Sequence, residues 1–394
     1  MSDLTADSAV GTVLSGTVLS GTVMSGTVMS GTDPLALEAV DAVEIWVGNA
    51  RQAAHYYRTA YGFSLVAYAG PETGVRDVTS YVVEQGRLRF VVTSSLRAGT
   101  VVAEHVARHG DGVKDVSLRV ADAAAAHQAA VSRGAVSARD VWEDKDDAGV
   151  LRRATIAAYG EVTHTFVDRR DYDGPYAPGY VTRSTVVDPL PPVGLLEFDH
   201  SVANVELGAM DRWVAFYEQV LGFSQVQQFT DADISTEYSA LMSKVVSNGD
   251  GRIKFPINEP APGKRKSQVD EYLDFYDGPG MQHTAIATAD IITSVRALQA
   301  RGVGFMRVPD TYYVELRERF ADVDLDIDVL EELGILADRD DEGYLLQIFT
   351  EMAQDRPTMF FELIERRGSR GFGNGNFKAL FVALEMEQDR RGNL

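Results

Sequence analysis

The sequence predicts an α+β fold of two tandem domains, each assembled from βαβββ repeats. Three observations carry this expectation: an internal duplication, the same order of strand-like and helix-like segments in both copies, and a Pro- and Gly-rich stretch between them. The duplication is direct. Tyr56-Tyr57-Arg-Thr-Ala-Tyr-Gly-Phe-Ser-Leu-Val66 recurs as Phe216-Tyr217-Glu-Gln-Val-Leu-Gly-Phe-Ser-Gln-Val226, and Gly112 to Gly134 has a counterpart in Gly280 to Gly302.

Each copy opens on a strand (Ala42 to Val47; Glu197 to Val202) and passes into an amphipathic helix (Ala50 to Tyr61; Ala209 to Leu221). Alternating strands follow, joined by turns such as Gln85-Gly86 and Asn248-Gly-Asp-Gly251. A further strand then leads into a helix that stops at Arg133-Gly134 or Arg301-Gly302. Arg suits a last helical turn, and Gly supplies the left-handed cap. A strand closes each copy (Val162 to Val167; Thr358 to Ile364). Between the copies, Arg169 to Val193 holds Pro175, Pro178, Pro189, Pro191 and Pro192 and reads as extended linker. The expected divisions are a tail over 1–34, a first domain over 35–185 without metal, and a second, catalytic domain over 194–394. Within the tail, residues 10–32 repeat a Ser-Gly-Thr-Val-(Leu/Met) unit with Gly at every fifth position. This reads as disordered low-complexity sequence with no chemistry; a short β-prone segment is the alternative.

Composition narrows the function classes. The chain has 394 residues, 45% hydrophobic and 24% charged, enough for a substantial core. A formal net charge of −21 argues against nucleic acid or an anionic membrane as partner. No apolar run is long enough to span a bilayer. There is no cysteine, which removes disulfides, thiolate metal sites and a thiol nucleophile, so any metal is held by nitrogen and oxygen.

Of seven histidines, only His200 and His283 follow the linker, and each lies in an apolar strand pattern. Glu362 lies in Met359-Phe-Phe-Glu-Leu-Ile364, with no Lys or Arg between Arg356 and Arg366. A lone strand histidine is more often a satisfied core residue than a ligand, and a lone buried Glu more often finds a distant cation. Three metal-competent groups on three predicted strands of one copy form a stronger pattern, because an ionised carboxylate is costly to bury without a positive partner. Their repeat counterparts, roughly Ala42, Asp115 and Thr165, make a poor metal site. Two imidazoles and a carboxylate suit non-haem Fe(II) and also Zn²⁺; the residue types do not choose between them. Ser243, Asn258, Gln268, Gln282 and Gln347 have inward-facing or adjacent placements and could converge on an uncharged polar group of a substrate, although each alone reads as a core hydrogen-bonding residue. Phe349 and Phe377 could sandwich an aromatic ring or simply pack. Gly371-Phe-Gly-Asn-Gly-Asn376 lacks the context of a phosphate loop and reads as a hinge. It feeds a helix with an apolar stripe at Phe377, Leu380, Phe381 and Leu384, a plausible lid.

Seven segments together resemble the bacterial type of 4-hydroxyphenylpyruvate dioxygenase, within the vicinal-oxygen-chelate superfamily. They are Phe198-Asp-His-Ser-Val, Phe255-Pro-Ile-Asn-Glu-Pro260, Lys266-Ser-Gln-Val-Asp-Glu-Tyr272, Gln282-His283, Gly343-Tyr-Leu-Leu-Gln-Ile-Phe349, Phe360-Phe-Glu-Leu-Ile-Glu-Arg366 and Gly375-Asn-Phe-Lys-Ala-Leu380. The resemblance runs from about Asp41 to the C-terminus. It implies two tandem vicinal-oxygen-chelate domains with a C-terminal gating helix, and Fe(II) on His200, His283 and Glu362. It implies that 4-hydroxyphenylpyruvate chelates the iron through its 2-oxo acid and that O₂ takes a remaining position. It implies homogentisate and CO₂ as products, as in tyrosine and phenylalanine catabolism. It assigns Ser243, Asn258, Gln268, Gln282 and Gln347 to the catalytic pocket and sets Pro256, Phe349, Phe372, Asn376 and Phe377 against the substrate. A cytoplasmic homodimer is expected.

One competitor is 4-hydroxymandelate synthase, which oxidises the benzylic carbon of the same substrate. That family departs at the segments corresponding to Pro256-Ile-Asn258 and Asn376-Phe377, whereas this chain retains Pro256, Asn258 and Phe377, which favours attack on the ring. A non-catalytic binding protein of the same fold would not need three ligands in one copy. An extradiol enzyme would bring a further histidine, which the second copy lacks.

Overall fold

The computed structural model describes residues 33–183, 190–230 and 239–393. The repeat over residues 10–32 therefore lies outside the described residues, as does Pro189.

The first half runs β1 (Leu37–Trp46), α1 (Ala50–Thr59), β2 (Ser64–Ala69), β3 (Val78–Gln85), β4 (Leu88–Ser95), α2 (Val101–His109), β5 (Gly112–Val120), α3 (Ala123–Ser132), β6 (Ser137–Asp146), β7 (Gly149–Ala157), β8 (Thr163–Asp168) and a short β9 (Val181–Thr182). The second half runs β10 (Leu195–Asn204), α4 (Met210–Phe216), β11 (Ser224–Phe229), β12 (Ala240–Ser247), β13 (Lys254–Ala261), α5 (Gln268–Tyr276), β14 (Gly280–Thr288), α6 (Ile291–Ala300), α7 (Thr311–Arg319), α8 (Ile327–Leu333), β15 (Leu336–Asp340), β16 (Gly343–Phe349), β17 (Phe360–Arg367) and α9 (Asn374–Arg390). Each half is thus two βαβββ units with a helix between them, as the duplication predicts. The second copy adds α7 and α8, which the sequence reading did not resolve. Helix starts follow local chemistry: Asn49 caps α1 by accepting from the Gln52 amide, and Ser267 and Asp270 form a capping box on α5. Beyond α4 the chain makes a π-helical turn over Tyr217–Leu221, ended by Gly222 in the left-handed region.

The strands form two sheets, in the orders β6-β7-β8-β5-β1-β4-β3-β2-β9 and β11-β12-β13-β10-β14-β17-β16-β15. Their registers confirm the repeat alignment residue by residue. Glu44 pairs with Asp115 across β1 and β5, as Val202 pairs with His283 across β10 and β14. Asp115 stands opposite Thr163, as His283 stands opposite Phe360. Ala42 and Thr165 therefore occupy the positions of His200 and Glu362.

The halves pack reciprocally. Phe361 of β17 inserts among Tyr57, Tyr61 and Phe90, with ring centroids 5.6 to 5.9 Å apart. At the matching place in β8, His164 packs on Phe255 at 5.3 Å and accepts a hydrogen bond from the Tyr217 hydroxyl (2.8 Å), while its Nδ1–H donates to the Val116 carbonyl. Burial pushes His164 down to about 4, so it stays neutral there.

The linker expectation needs correction. Its first part is not a free extended strap: Tyr172, Tyr176 and Ala177 are buried with Ala42, Ala67, Val82, Val91 and Val167 on one face of the first sheet, and β9 pairs with β2. Counting prolines overlooked the apolar area that these tyrosines carry. They fill the space that is a cavity in the second half.

Candidate metal centre

β10, β14 and β17 are neighbours in the middle of the second sheet, so the three expected ligands meet although they are far apart in sequence. His200 Nε2 lies 3.3 Å and His283 Nε2 3.5 Å from the same Glu362 oxygen. One ligand atom from each lies within 4.8 Å of the others, and all three residues are buried. The far side of each imidazole is fixed. Asp199 Oδ1 accepts from His200 Nδ1 at 2.7 Å, and Gln282 Oε1 accepts from His283 Nδ1 at 3.0 Å. Both Nε2 lone pairs are thereby aimed at a carboxylate oxygen, an arrangement that calls for a cation between them. Burial would raise the Glu362 carboxyl, but the two imidazoles outweigh it and hold the group ionised. Burial lowers His283. Burial also acts to lower His200, yet Glu362 and Asp199 on either side leave it raised. The donor set, its burial and its fixed tautomers fit a divalent metal ion.

A second layer supports the ligands. Arg366 Nε and Nη2 donate to Asp199 at 2.7 and 2.8 Å, and Lys254 Nζ lies 3.4 Å away. Arg366 also donates to the Gly371 carbonyl at 2.6 Å, which ties the ligand support to the approach of α9. The Gln282 carboxamide donates in turn to Gln268 Oε1 at the start of α5. Reasoning from the sequence missed Asp199, Lys254 and Arg366. A signal existed: their repeat counterparts Asp41, Arg89 and Arg169 make the same ion pairs in the first half.

His200, His283 and Glu362 lie on the wall of a cavity. Ser243, Pro256, Asn258, Gln268, Gln282, Gln347, Phe349, Phe372 and Phe377 line it, together with Leu380, Phe381 and Leu384 of the α9 stripe. The stripe closes the cavity from outside, with the Phe377 ring edge-on to Phe229 at 4.5 Å. Phe372 lies edge-on to His200 at 5.2 Å. Asn376 is the exception. It is fully buried but is not on the cavity wall; its carboxamide oxygen accepts from the Tyr312 hydroxyl at 2.6 Å, anchoring the first turn of α9. An i, i+1 neighbour of Phe377 points elsewhere on a helix, which the family resemblance did not reveal. Gly373 makes the turn into α9 at φ +77°, and a Cβ there would lie 2.1 Å from Gln347 Oε1. Gln347 Oε1 is buried without a hydrogen-bond partner, at the cavity wall.

In the first half the matching positions hold no such set. Asp115 accepts from Ser117, Thr163 and Thr165 at 2.6 to 2.9 Å, and Ala42 offers no ligand.

Known proteins agree with this arrangement. Residues 32–177 match the model for the N-terminal domain of hydroxyphenylpyruvate dioxygenase, and residues 198–348 match the glyoxalase/bleomycin resistance protein/dioxygenase superfamily. A 4-hydroxyphenylpyruvate dioxygenase of Dictyostelium discoideum is 47% identical, over 91% of this chain and 100% of that protein. One from Yarrowia lipolytica is 46% identical, over 90% and 93%. Among solved structures, a variant of 4-hydroxymandelate synthase from Streptomyces coelicolor superposes with a TM-score of 0.81 at 34% identity, covering 90% of this chain and 99% of that one. A fold of two glyoxalase-type sheets, a buried His₂Glu centre in the second, and this identity over nearly the whole length place the chain in the 4-hydroxyphenylpyruvate dioxygenase family.

Proposed function

We propose that the chain converts 4-hydroxyphenylpyruvate and O₂ to homogentisate and CO₂ at a single Fe(II) held by His200, His283 and Glu362. The observation that carries this reading is the aim of two fixed imidazole lone pairs and one carboxylate at a common point beside an aromatic-walled cavity. Bound there, the metal would neutralise the 2-oxo acid of the substrate and bring it together with O₂. The neutral wall then needs no Arg clamp. Phe349 and Phe377 flank the substrate ring. Ser243, Asn258, Gln268, Gln282 and Gln347 offer uncharged donors and acceptors, and the unpartnered Gln347 Oε1 is ready to accept a proton donor such as the substrate phenol. The α9 stripe excludes bulk water during turnover.

Attack on the ring is favoured over the benzylic carbon by the retained Pro256, Asn258 and Phe377, and by 46–47% identity to dioxygenases against 34% to the mandelate synthase. Incubation of the iron-loaded protein with 4-hydroxyphenylpyruvate should consume O₂ and yield homogentisate. 4-Hydroxymandelate as the product would overturn the regiochemistry, and no O₂ uptake would leave a binding protein. Glu362→Ala should abolish iron retention and turnover together; full activity would remove Glu362 from the ligand set. No helix among the described residues is long and apolar enough to cross a membrane. We further propose a cytoplasmic homodimer, its stoichiometry testable by sedimentation.

A further inference from the structure

The arrangement that marks the metal centre occurs a second time, in the first half. α2 carries His105 and His109 four residues apart on one face, and Glu161 reaches them from the turn before β8. One ligand atom from each of the three lies within 4.8 Å of the others. The His109 Nδ1–H donates to the Tyr276 backbone carbonyl, an oxygen that can only accept. Its Nε2 therefore presents a lone pair, and it faces Glu161 Oε1 at 3.3 Å, just as His200 Nε2 faces Glu362. His105 Nδ1 stands 2.6 Å from the other Glu161 oxygen. The Nε2 atoms of both histidines are buried with no hydrogen-bond partner. Two acceptors turned toward each other at this distance repel unless a proton or a metal ion lies between them.

We propose that His105, His109 and Glu161 form a second divalent-metal site, of the Zn²⁺ class, distinct from the catalytic centre. Two imidazoles and one carboxylate are a competent Zn²⁺ set that leaves a position for water. Side-chain exposure of 38% for Glu161, against 1% and 3% for the histidines, gives that position and the entry route. Two cations stand close. Lys114 donates to the Glu161 backbone carbonyl instead of its carboxylate, and Arg108, 3.6 Å from Glu161, pairs with Asp277 at 2.5 Å.

The location gives the site a consequence. His109 stacks on Tyr276 at 4.5 Å, at the end of α5, and the first residue of α5 is Gln268 in the catalytic cavity. A metal bound here would fix the His109 ring, and with it the hydrogen bond and stacking that tie the first half to the end of α5, and would stabilise the folded chain by mass action.

Zn²⁺ titration of the full-length metal-free protein, with bound metal quantified after dialysis, tests this. Wild type should bind two equivalents. His200→Ala/Glu362→Ala should retain one equivalent, at the His105–His109–Glu161 site, and Glu161→Gln and His109→Gln should each retain one, at the His200–His283–Glu362 site, with affinity at the second site reduced at least about tenfold. Glu161→Gln lies on a partly exposed turn and keeps the fold measurable by circular dichroism. In the His200→Ala/Glu362→Ala background the melting temperature should rise with Zn²⁺, and adding Glu161→Gln should remove that rise. One equivalent in wild type, or a second equivalent unaffected by Glu161→Gln and His109→Gln, would overturn the site. Loss of metal in the His200→Ala/Glu362→Ala variant alone would reveal an imidazolium–carboxylate ion pair in its place.

Discussion

Asp199→Asn separates the two jobs of a buried carboxylate, because the repeat supplies its own control. Asp199 accepts two donors from Arg366 and one from His200, with Lys254 close by. Asp41, at the matching position, accepts from Arg169 at 2.7 and 2.8 Å and from Arg119 at 2.7 Å, but its neighbour is Ala42, not a ligand. Breaking a buried ion pair costs about 3–5 kcal/mol, and the partly exposed Arg366 and Arg169 place both variants near the lower end. Stability of the metal-free protein in urea should therefore fall by about 3 kcal/mol in Asp199→Asn and in Asp41→Asn alike. Metal affinity should not fall alike. Losing the charge that orients an imidazole costs about 10- to 100-fold in metal affinity, or about 1.4–2.7 kcal/mol. Competition with a chelator should show that loss in Asp199→Asn and not in Asp41→Asn. Equal affinities in the two variants would refute a positioning role for Asp199 and leave it a purely structural ion pair.

Three other perturbations probe separate parts of the molecule. Phe377→Ala should change product distribution and lower kcat while leaving iron content intact, since Phe377 lines the cavity without touching the ligand atoms; loss of iron would contradict its place on the wall. Gly373→Ala should lower turnover and destabilise the α9 closure by about 1–3 kcal/mol, from the positive φ and the collision with Gln347, read by kcat and by proteolysis within α9. Burial would raise the Asp41 carboxyl, but Arg169, Arg89 and Arg119 hold it at about 2, against 3.8 unperturbed. A depressed carboxyl stabilises above its unfolded value and loses that contribution as pH falls through the folded one, so the stability gap between wild type and Asp41→Asn should narrow by about 2 kcal/mol between pH 5 and pH 2, with about half gone by pH 3. A gap independent of pH would mean that the pairing is not what stabilises this corner.

The comparison of Asp41 with Asp199 also shows how the metal site relates to the duplication. Both halves keep the Asp–Arg framework at the same register positions, with Arg89 and Lys254 as matching third partners. Only the second half places His, His and Glu on the adjoining positions and leaves the face open under a helix. In the first half, tyrosines from the chain after β8 cover that face and Asp115 is satisfied by three hydroxyls. The difference between a scaffold and a metal centre is three side chains and what covers them.

The amino-acid sequence by itself determined the duplication and the order of elements, and it pointed to His200, His283 and Glu362 as candidate ligands. Strand periodicity and repeat alignment are local or translational patterns, and both are written along the chain. Thr165 could be matched to Glu362 before any coordinates, because equal registers follow from equal spacing. What only the tertiary structure decided was which groups on different strands and helices share one space. Asn376 and Phe377 are adjacent in sequence, yet a helical turn sends one to Tyr312 and the other to the cavity. Arg366 and Asp199 are 167 residues apart and meet only when β17 and β10 flank β14. His105 and His109 went unread in the sequence, because Glu161 and the Tyr276 carbonyl that join them come from elsewhere in the fold. Side-chain convergence depends on sheet order and on the packing of one half against the other, and neither is encoded in any local stretch of sequence.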